Sequence, residues 1–269
     1  MPELPEVETY RRYFEETSLY QLISDVYVED TKLLTTDYDT LNQQLKNHQF
    51  IGTKRVGKNL FAQLDAPYWL HLHFGMTGDL AYFKDDEDTP RFARIIFKFA
   101  NGFRLGFLCP RKFERIGIVE DVEEYLSRKK INKDALEITI EELSKTLNKK
   151  NAPIKSVLLD QSTVAGIGNW IVDEVLYQAK IHPEKKANQL SEKEIFEIHK
   201  SMRFVIQTAI DSQANYDDFP EHFLIHARGW GRAGLQDIRA EKCAECGEKI
   251  SISKVGGRTT YFCANRQVL

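Results

Sequence analysis

Behind the initiator methionine stand Pro2 and Glu3, a potential secondary amine beside a carboxylate. If Met1 is removed, which a small second residue permits, Pro2 carries a free α-amine with a reference pKa of about 8, far less basic than a lysine ammonium. A sizeable unprotonated fraction then exists at neutral pH and can attack an electrophilic carbon such as C1′ of a deoxyribose, expelling the base. The resulting iminium acidifies the C2′ proton and permits β-elimination. That chemistry needs proton transfer, for which Glu3 is placed as general acid or base, with Glu6 a further carboxylate nearby. The plainer reading of the same residues is an ordinary chain start, with Pro5 and the acids opening a helix.

Two further clusters have chemical potential. Gly166-Ile167-Gly168-Asn169 precedes an expected helix. Glycines let the backbone approach a ligand, and a helix N-terminus offers unpaired N–H groups and positive dipole, so the segment reads as a phosphate site or, equally on spacing, as a turn between helices. Near the end, Cys243-x2-Cys246 is followed by sixteen residues and then Cys263-x2-Arg266. Without a signal peptide, such a cysteine cluster reads as a metal site rather than a disulfide framework. Structural zinc takes four ligands. Arg266 cannot be one, so zinc is expected to bind weakly or not at all.

These residues must be held by some fold. Val7, Tyr10 and Phe14 fall at helical spacing after Pro5. From 49 to 117 the pattern is β, with alternation in 60–64 and 69–74. Asn101-Gly102 between the apolar runs 95–99 and 103–107 signals a hairpin. Short strands of this kind predict a sandwich or barrel. Residues 120–150 are highly charged with a helical period and are expected to bridge two domains. The segments 154–161, 170–180 and 191–212 read as helices, the last opened by a Ser191/Glu194 capping box. The tail from Lys242, with Gly256-Gly257, reads as a β-hairpin.

The chain has 269 residues and a net charge of −3. No apolar run is long enough to cross a membrane, and the start lacks the basic and apolar regions of a secretory signal, which predicts an intracellular protein. The balance is not that of a basic nucleic-acid binder, but Arg and Lys are concentrated between 228 and 266, and a local basic face can bind phosphate.

The string Pro2-Glu3-Leu4-Pro5-Glu6-Val7-Glu8-Thr9 resembles the start of the formamidopyrimidine-DNA glycosylase family, in which this proline is the Schiff-base nucleophile and the next glutamate is catalytic. Arg55-Val56-Gly57-Lys58 is similar to the family's Arg-x-Gly-Lys turn, which implies that Lys58 contacts the phosphate beside the lesion and assists catalysis. His73-Phe74-Gly75-Met76-Thr77-Gly78 resembles its His-Leu-Gly-Met-(Ser/Thr)-Gly loop. The resemblance makes His73 a DNA-binding residue and Met76 the wedge that fills the gap left by an extruded base. Pro110-Arg111-Lys112-Phe113 is similar to part of an Asp-Pro-Arg-Arg-Phe-Gly segment, so Arg111 would bond the orphaned partner base and Phe113 would wedge between bases. Cys109 and Glu114 stand where that segment has Asp and Gly.

Residues 166–177 resemble the family's helix–two-turn–helix motif. By that resemblance Gly168 and Asn169 bind the phosphate flanking the lesion, and Glu174 is a further catalytic residue. Lys150 and Lys155, just upstream, are expected to add phosphate contacts. Gly257-Arg258-Thr259-Thr260 resembles a Gly-Arg-x-Thr hairpin tip, whose arginine reaches the same phosphate. Cys243, Cys246 and Cys263 match three of the four zinc cysteines, and Gln267 matches the residue after the fourth. The similarity is weakest over 212–241, where 227–232 does not match the loop that covers an extruded 8-oxoguanine.

The implied protein is α+β, with an N-terminal catalytic β-sandwich domain (1–120), a charged helical linker (121–150), a helix–two-turn–helix domain (151–240) and a zinc-finger-like β-hairpin (241–269). The implied activity is that of a bifunctional glycosylase and abasic-site lyase, acting as a monomer on damaged double-stranded DNA with no cofactor beyond zinc. An endonuclease VIII-like enzyme for oxidised pyrimidines and a non-cutting damage-binding paralogue are the alternatives.

Overall fold

A computed structural model describes residues 2–228 and 242–269. Contacts divide the chain into two compact units, Pro2 with 6–129 and 3–5 with 130–269. None of the described helices is long and apolar enough to cross a membrane.

The first unit begins with α1 (Leu4–Ser18), which buries Val7 and Phe14 as its spacing predicts. Two four-stranded antiparallel sheets follow. One has the order β1-β6-β7-β5, from β1 (Ile23–Val28), β5 (Asp79–Lys84), β6 (Ala93–Phe99) and β7 (Phe103–Leu108). The other has the order β2-β3-β4-β8, from β2 (Phe50–Val56), β3 (Asn59–Leu64), β4 (Trp69–His73) and β8 (Arg115–Val119). Their inner faces share one apolar core, which also takes Leu41 and Leu45 from α2 (Tyr38–Leu45). Phe50 meets Phe97 edge-on across it at 6.1 Å between ring centroids. The expected Asn101-Gly102 turn joins β6 to β7, with Gly102 at φ +84° and the Asn101 side chain accepting from the Phe103 N–H. The expectation placed the first strand near 49; β1 and α2 precede it.

The second unit is helical, with α4 (Ile140–Leu147), α5 (Ile154–Leu159), α6 (Asn169–Ala179), α7 (Glu192–Asp211) and the short α8 (Leu224–Ala227). Helix α6 is buried nearly all round, which identifies it as the central helix of this core. Helix α7 opens with the expected Ser191/Glu194 capping box. The tail hairpin pairs β9 (Ser251–Val255) with β10 (Arg258–Phe262) across Gly256-Gly257. The stretch expected as a linker is divided instead. Its helix α3 (Val122–Arg128) belongs to the first unit, whereas α4 sinks Leu143 and Leu147 into the core of the second.

Candidate active site

In the first unit, Lys58 is half-buried beside Gly57, which turns β2 into β3 at φ +58°. His73 ends β4, and its Nδ1 accepts the Gly75 N–H at 3.2 Å, which sets the start of the next loop. Burial depresses the His73 pKa, and the positive charges of Lys58 and Arg115 lower it further, so Lys58 and His73 sense each other. The loop lifts Met76 into solvent at 37% exposure. A neighbouring loop exposes Arg111 and Phe113, with the guanidinium carbon 5.3 Å from the ring centroid.

Glu114, the residue that departs from the resemblance, is fully buried and joins these two loops. It accepts from the Thr77 hydroxyl at 3.2 Å. The fit is close: a Cβ on Gly78 would lie 2.8 Å from Glu114 Cγ, and one on Gly75 would lie 2.6 Å from the Phe113 carbonyl carbon. The other departure, Cys109, is buried and has its thiol pushed up to about 12 by burial and by the charge of Glu114. Within the same unit Glu8 accepts from Arg11 and Arg55, which outweigh its burial and hold its carboxyl at about 2. Pro2 is buried and Glu6 half-buried.

In the second unit, helix α6 has Gly168 at its N-cap and so no cap of its own. Glu3 supplies one: its Oε1 accepts the Trp170 N–H at 3.0 Å and its Oε2 the Ile171 N–H at 3.2 Å. These are the orphan donors that a capping side chain ordinarily satisfies. Only glycine suits position 168, because a Cβ there would stand 2.1 Å from the carboxylate carbon of Glu3. The Leu4 N–H donates to the Gly166 carbonyl at 3.1 Å, and Leu4 joins the core of this unit. The side chain responsible for proton transfer in the sequence reading is thus fixed by two backbone donors, next in sequence to Pro2.

Asn169, at the first turn of α6, donates to the Thr259 carbonyl at 3.1 Å, which ties the hairpin strand carrying exposed Arg258 to this helix start. Beneath it lies a buried polar web. Lys155, expected at a phosphate, has no exposed surface. Its ammonium donates to Asp173 at 2.7 Å, to the Thr259 carbonyl at 2.8 Å and to the Thr260 hydroxyl at 2.9 Å. It therefore positions the hairpin rather than touching DNA. Asp173 also accepts the Tyr261 N–H and lies 3.5 Å from Arg228. Arg228 is itself buried over the Tyr261 ring, so it adds nothing to a basic face.

Glu174 is corrected in the same way. It accepts the N–H groups of Leu224 and Ile225 at 3.1 and 3.0 Å, which caps α8, and it is 1% exposed. Burial pushes it up to about 7 despite these bonds. Its two oxygens are thus engaged in capping α8. Lys150 is half-exposed and lies 3.7 Å from Asp160. In the tail, the sulfurs of Cys243, Cys246 and Cys263 lie within 4.8 Å of one another and could hold a metal ion. Of the stretch where the resemblance is weakest, 212–241, residues 229–241 lie outside the described residues. Sequence reasoning missed Thr77, Asp173 and Tyr177 as organising residues. Their partners are 37, 18 and 66 positions away, beyond any local pattern.

Comparison with known proteins agrees with this arrangement. Residues 1–116 match the formamidopyrimidine-DNA glycosylase N-terminal domain and residues 131–219 the H2TH domain of the same family. A formamidopyrimidine-DNA glycosylase of Arabidopsis thaliana is 33% identical over all of this chain and 71% of its own length. One from Bacillus subtilis is 34% identical over 99% of each chain. The Lactococcus lactis Fpg (MutM), solved in complex with DNA containing N7-benzyl-Fapy-dG, superposes with a TM-score of 0.87 at 32% identity over 100% of both chains. The chain belongs to the formamidopyrimidine-DNA glycosylase family, whose members are DNA repair enzymes that act on damaged bases.

Proposed function

We propose that this protein is a bifunctional glycosylase and abasic-site lyase that removes oxidised purines from double-stranded DNA as a single chain, with Pro2 as nucleophile. After loss of Met1, the Pro2 nitrogen attacks C1′ of the damaged nucleotide. The N-glycosidic bond breaks and the base leaves with the proton of the amine; the C1′–O4′ bond then opens, O4′ takes up a proton, and the nitrogen lone pair forms the iminium that links enzyme and sugar. Loss of the C2′ proton expels the 3′ phosphate, and a second elimination expels the 5′ phosphate.

The observation that supports this reading most is the fixed Glu3 carboxylate. Two N–H groups of α6 orient the side chain that follows Pro2 in sequence, which holds a proton-transfer group in one place. Lys58, Asn169 and Arg258 hold the flanking phosphates, with Arg258 suited by its fork of donors. Gly168 adds backbone approach at the helix start. Met76, Arg111 and Phe113 occupy the space of the everted base and address its partner. The relative solved with a formamidopyrimidine lesion supports oxidised purines as the substrate class. No metal is needed for any of these steps.

The test is borohydride trapping on duplexes carrying 8-oxoguanine opposite cytosine, an oxidised pyrimidine, or a preformed abasic site, with Pro2→Gly in parallel. Adducts on the 8-oxoguanine and abasic duplexes, weakened in the variant, are expected. An adduct with the oxidised pyrimidine but not with 8-oxoguanine would move the substrate to the endonuclease VIII-like class. No adduct on any duplex, with Met1 removal verified by mass spectrometry, would overturn the Pro2 chemistry.

A further inference from the structure

The family resemblance implies zinc on four cysteines of the tail, and this chain's own atoms test the fit. Three sulfurs are close enough to share an ion. Two of them, Cys246 and Cys263, approach to 3.5 Å, and the third, Cys243, lies 3.0 Å from the Tyr177 hydroxyl of α6. The fourth corner belongs to Arg266. Its side chain is only 13% exposed, and Nη2 lies 3.7 Å from the Glu245 carboxylate. Its guanidinium carbon stands 4.6 Å from the centroid of the Tyr177 ring. A guanidinium has no lone pair for a metal and keeps its positive charge at any working pH. A dication beside it would meet repulsion in a half-desolvated pocket. The residues present do not complete the four-ligand site of a structural zinc.

Both turns that a zinc ion would clamp are closed without one. The Cys243 N–H donates to the Glu248 carbonyl at 2.7 Å, and the Gly247 N–H returns to the Cys243 carbonyl at 2.8 Å. At the other turn the Arg266 and Gln267 N–H groups both donate to the Cys263 carbonyl. The Gln267 side chain accepts from the Cys263 N–H and donates to the Ile181 carbonyl just past α6. Between the two turns there is the thiol contact of Cys246 with Cys263, and Arg266 adds the charged link. It belongs to the second turn, reaches Glu245 in the first, and stacks on the Tyr177 ring whose hydroxyl meets Cys243.

We propose that Arg266 takes the place of the metal: its guanidinium is the cation that joins the two turns of the tail and seats them on α6. The arrangement is a built-in, non-exchangeable substitute for zinc. It keeps the hairpin that carries Arg258 independent of metal supply and resistant to chelators.

Three full-length proteins test this: wild type, Arg266→Cys and Arg266→Gln, each exposed to excess zinc, desalted and assayed for bound metal. The wild type is expected to retain well under one zinc per chain, and Arg266→Cys, which completes the tetrad, about one. Amide exchange across 242–267 is expected to speed up about tenfold or more in Arg266→Gln, with exchange in α7 unchanged. The α7 amides report whether each variant has folded. Stoichiometric zinc in the wild type would overturn the proposal. So would Arg266→Gln with wild-type exchange in the tail, or a folded Arg266→Cys that takes up no zinc.

Discussion

The loops of the first unit and the helix start of the second handle functional residues in opposite ways. Met76 and Phe113 stand exposed on loops whose backbones are packed beneath them by Glu114, Gly75 and Gly78. Around α6 the order is inverted: Lys155, Asp173 and Glu174 are buried and bonded to their surroundings, and Arg258 emerges from the hairpin above them. The first arrangement lets a side chain enter another molecule without disturbing its own fold. The second fixes a few donors and acceptors rigidly, so a change there is felt as stability before it is felt as binding.

The largest expected effect breaks the second arrangement. Lys155→Met leaves Asp173 buried against a lost partner and should cost about 3–5 kcal/mol in chemical denaturation. If Lys155 were instead a surface phosphate contact, stability would hold and the salt dependence of DNA binding would change. Burial pushes the Lys155 pKa down and the Asp173 pKa up, so Lys155→Met with Asp173→Asn should recover part of the loss.

Glu174 sharpens the comparison through pH. Below about 4.5 it is protonated whether the chain is folded or unfolded; between 4.5 and about 7 only the unfolded chain gives up the proton. Its contribution to stability is therefore full below 4.5 and falls by about 3 kcal/mol as pH rises through that window. Melting curves of Glu174→Gln should be flatter over the same range than those of the wild type. Glu8 in the first unit works with the opposite sign. Its carboxyl is held at about 2, so what it contributes is present above 4.5 and lost only as pH falls toward 2.

Gly168→Ala should reduce base excision about a hundredfold, by displacing the Glu3 carboxylate that the new Cβ would meet. Unchanged single-turnover rates would separate Glu3 placement from catalysis. The smallest expected effect belongs to the exposed loops. Met76→Ala should slow excision about tenfold, since a methionine buried in DNA is worth about 1.5–3 kcal/mol, while the melting temperature stays within error. A melting shift as large as that of Lys155→Met would erase the distinction between the two regions.

What the sequence revealed follows the same division. The β6–β7 hairpin was legible because Asn-Gly is a local signal, and α7 because Ser191 and Glu194 are three residues apart. Strand β1 was not, since its two buried residues, Ile23 and Val26, are three apart and do not alternate. Met76 and Phe113, exposed on their loops, were legible as parts of motifs. The burial of Lys155 was not, because its Thr259 and Thr260 partners arrive 104 and 105 residues later. A lysine in such a position reads as surface until the hairpin folds over it.

The cap on α6 also fixes an order of events during synthesis. Glu3 leaves the ribosome first, but its α6 partner Trp170 follows only 167 residues later. At about 5–20 residues per second that delay lasts roughly ten to thirty seconds. Through this interval the start of α6, which the carboxylate caps in the finished protein, does not yet exist. The fold thus supplies a timetable: the cap of α6 closes late, on a carboxylate made at the very start of synthesis.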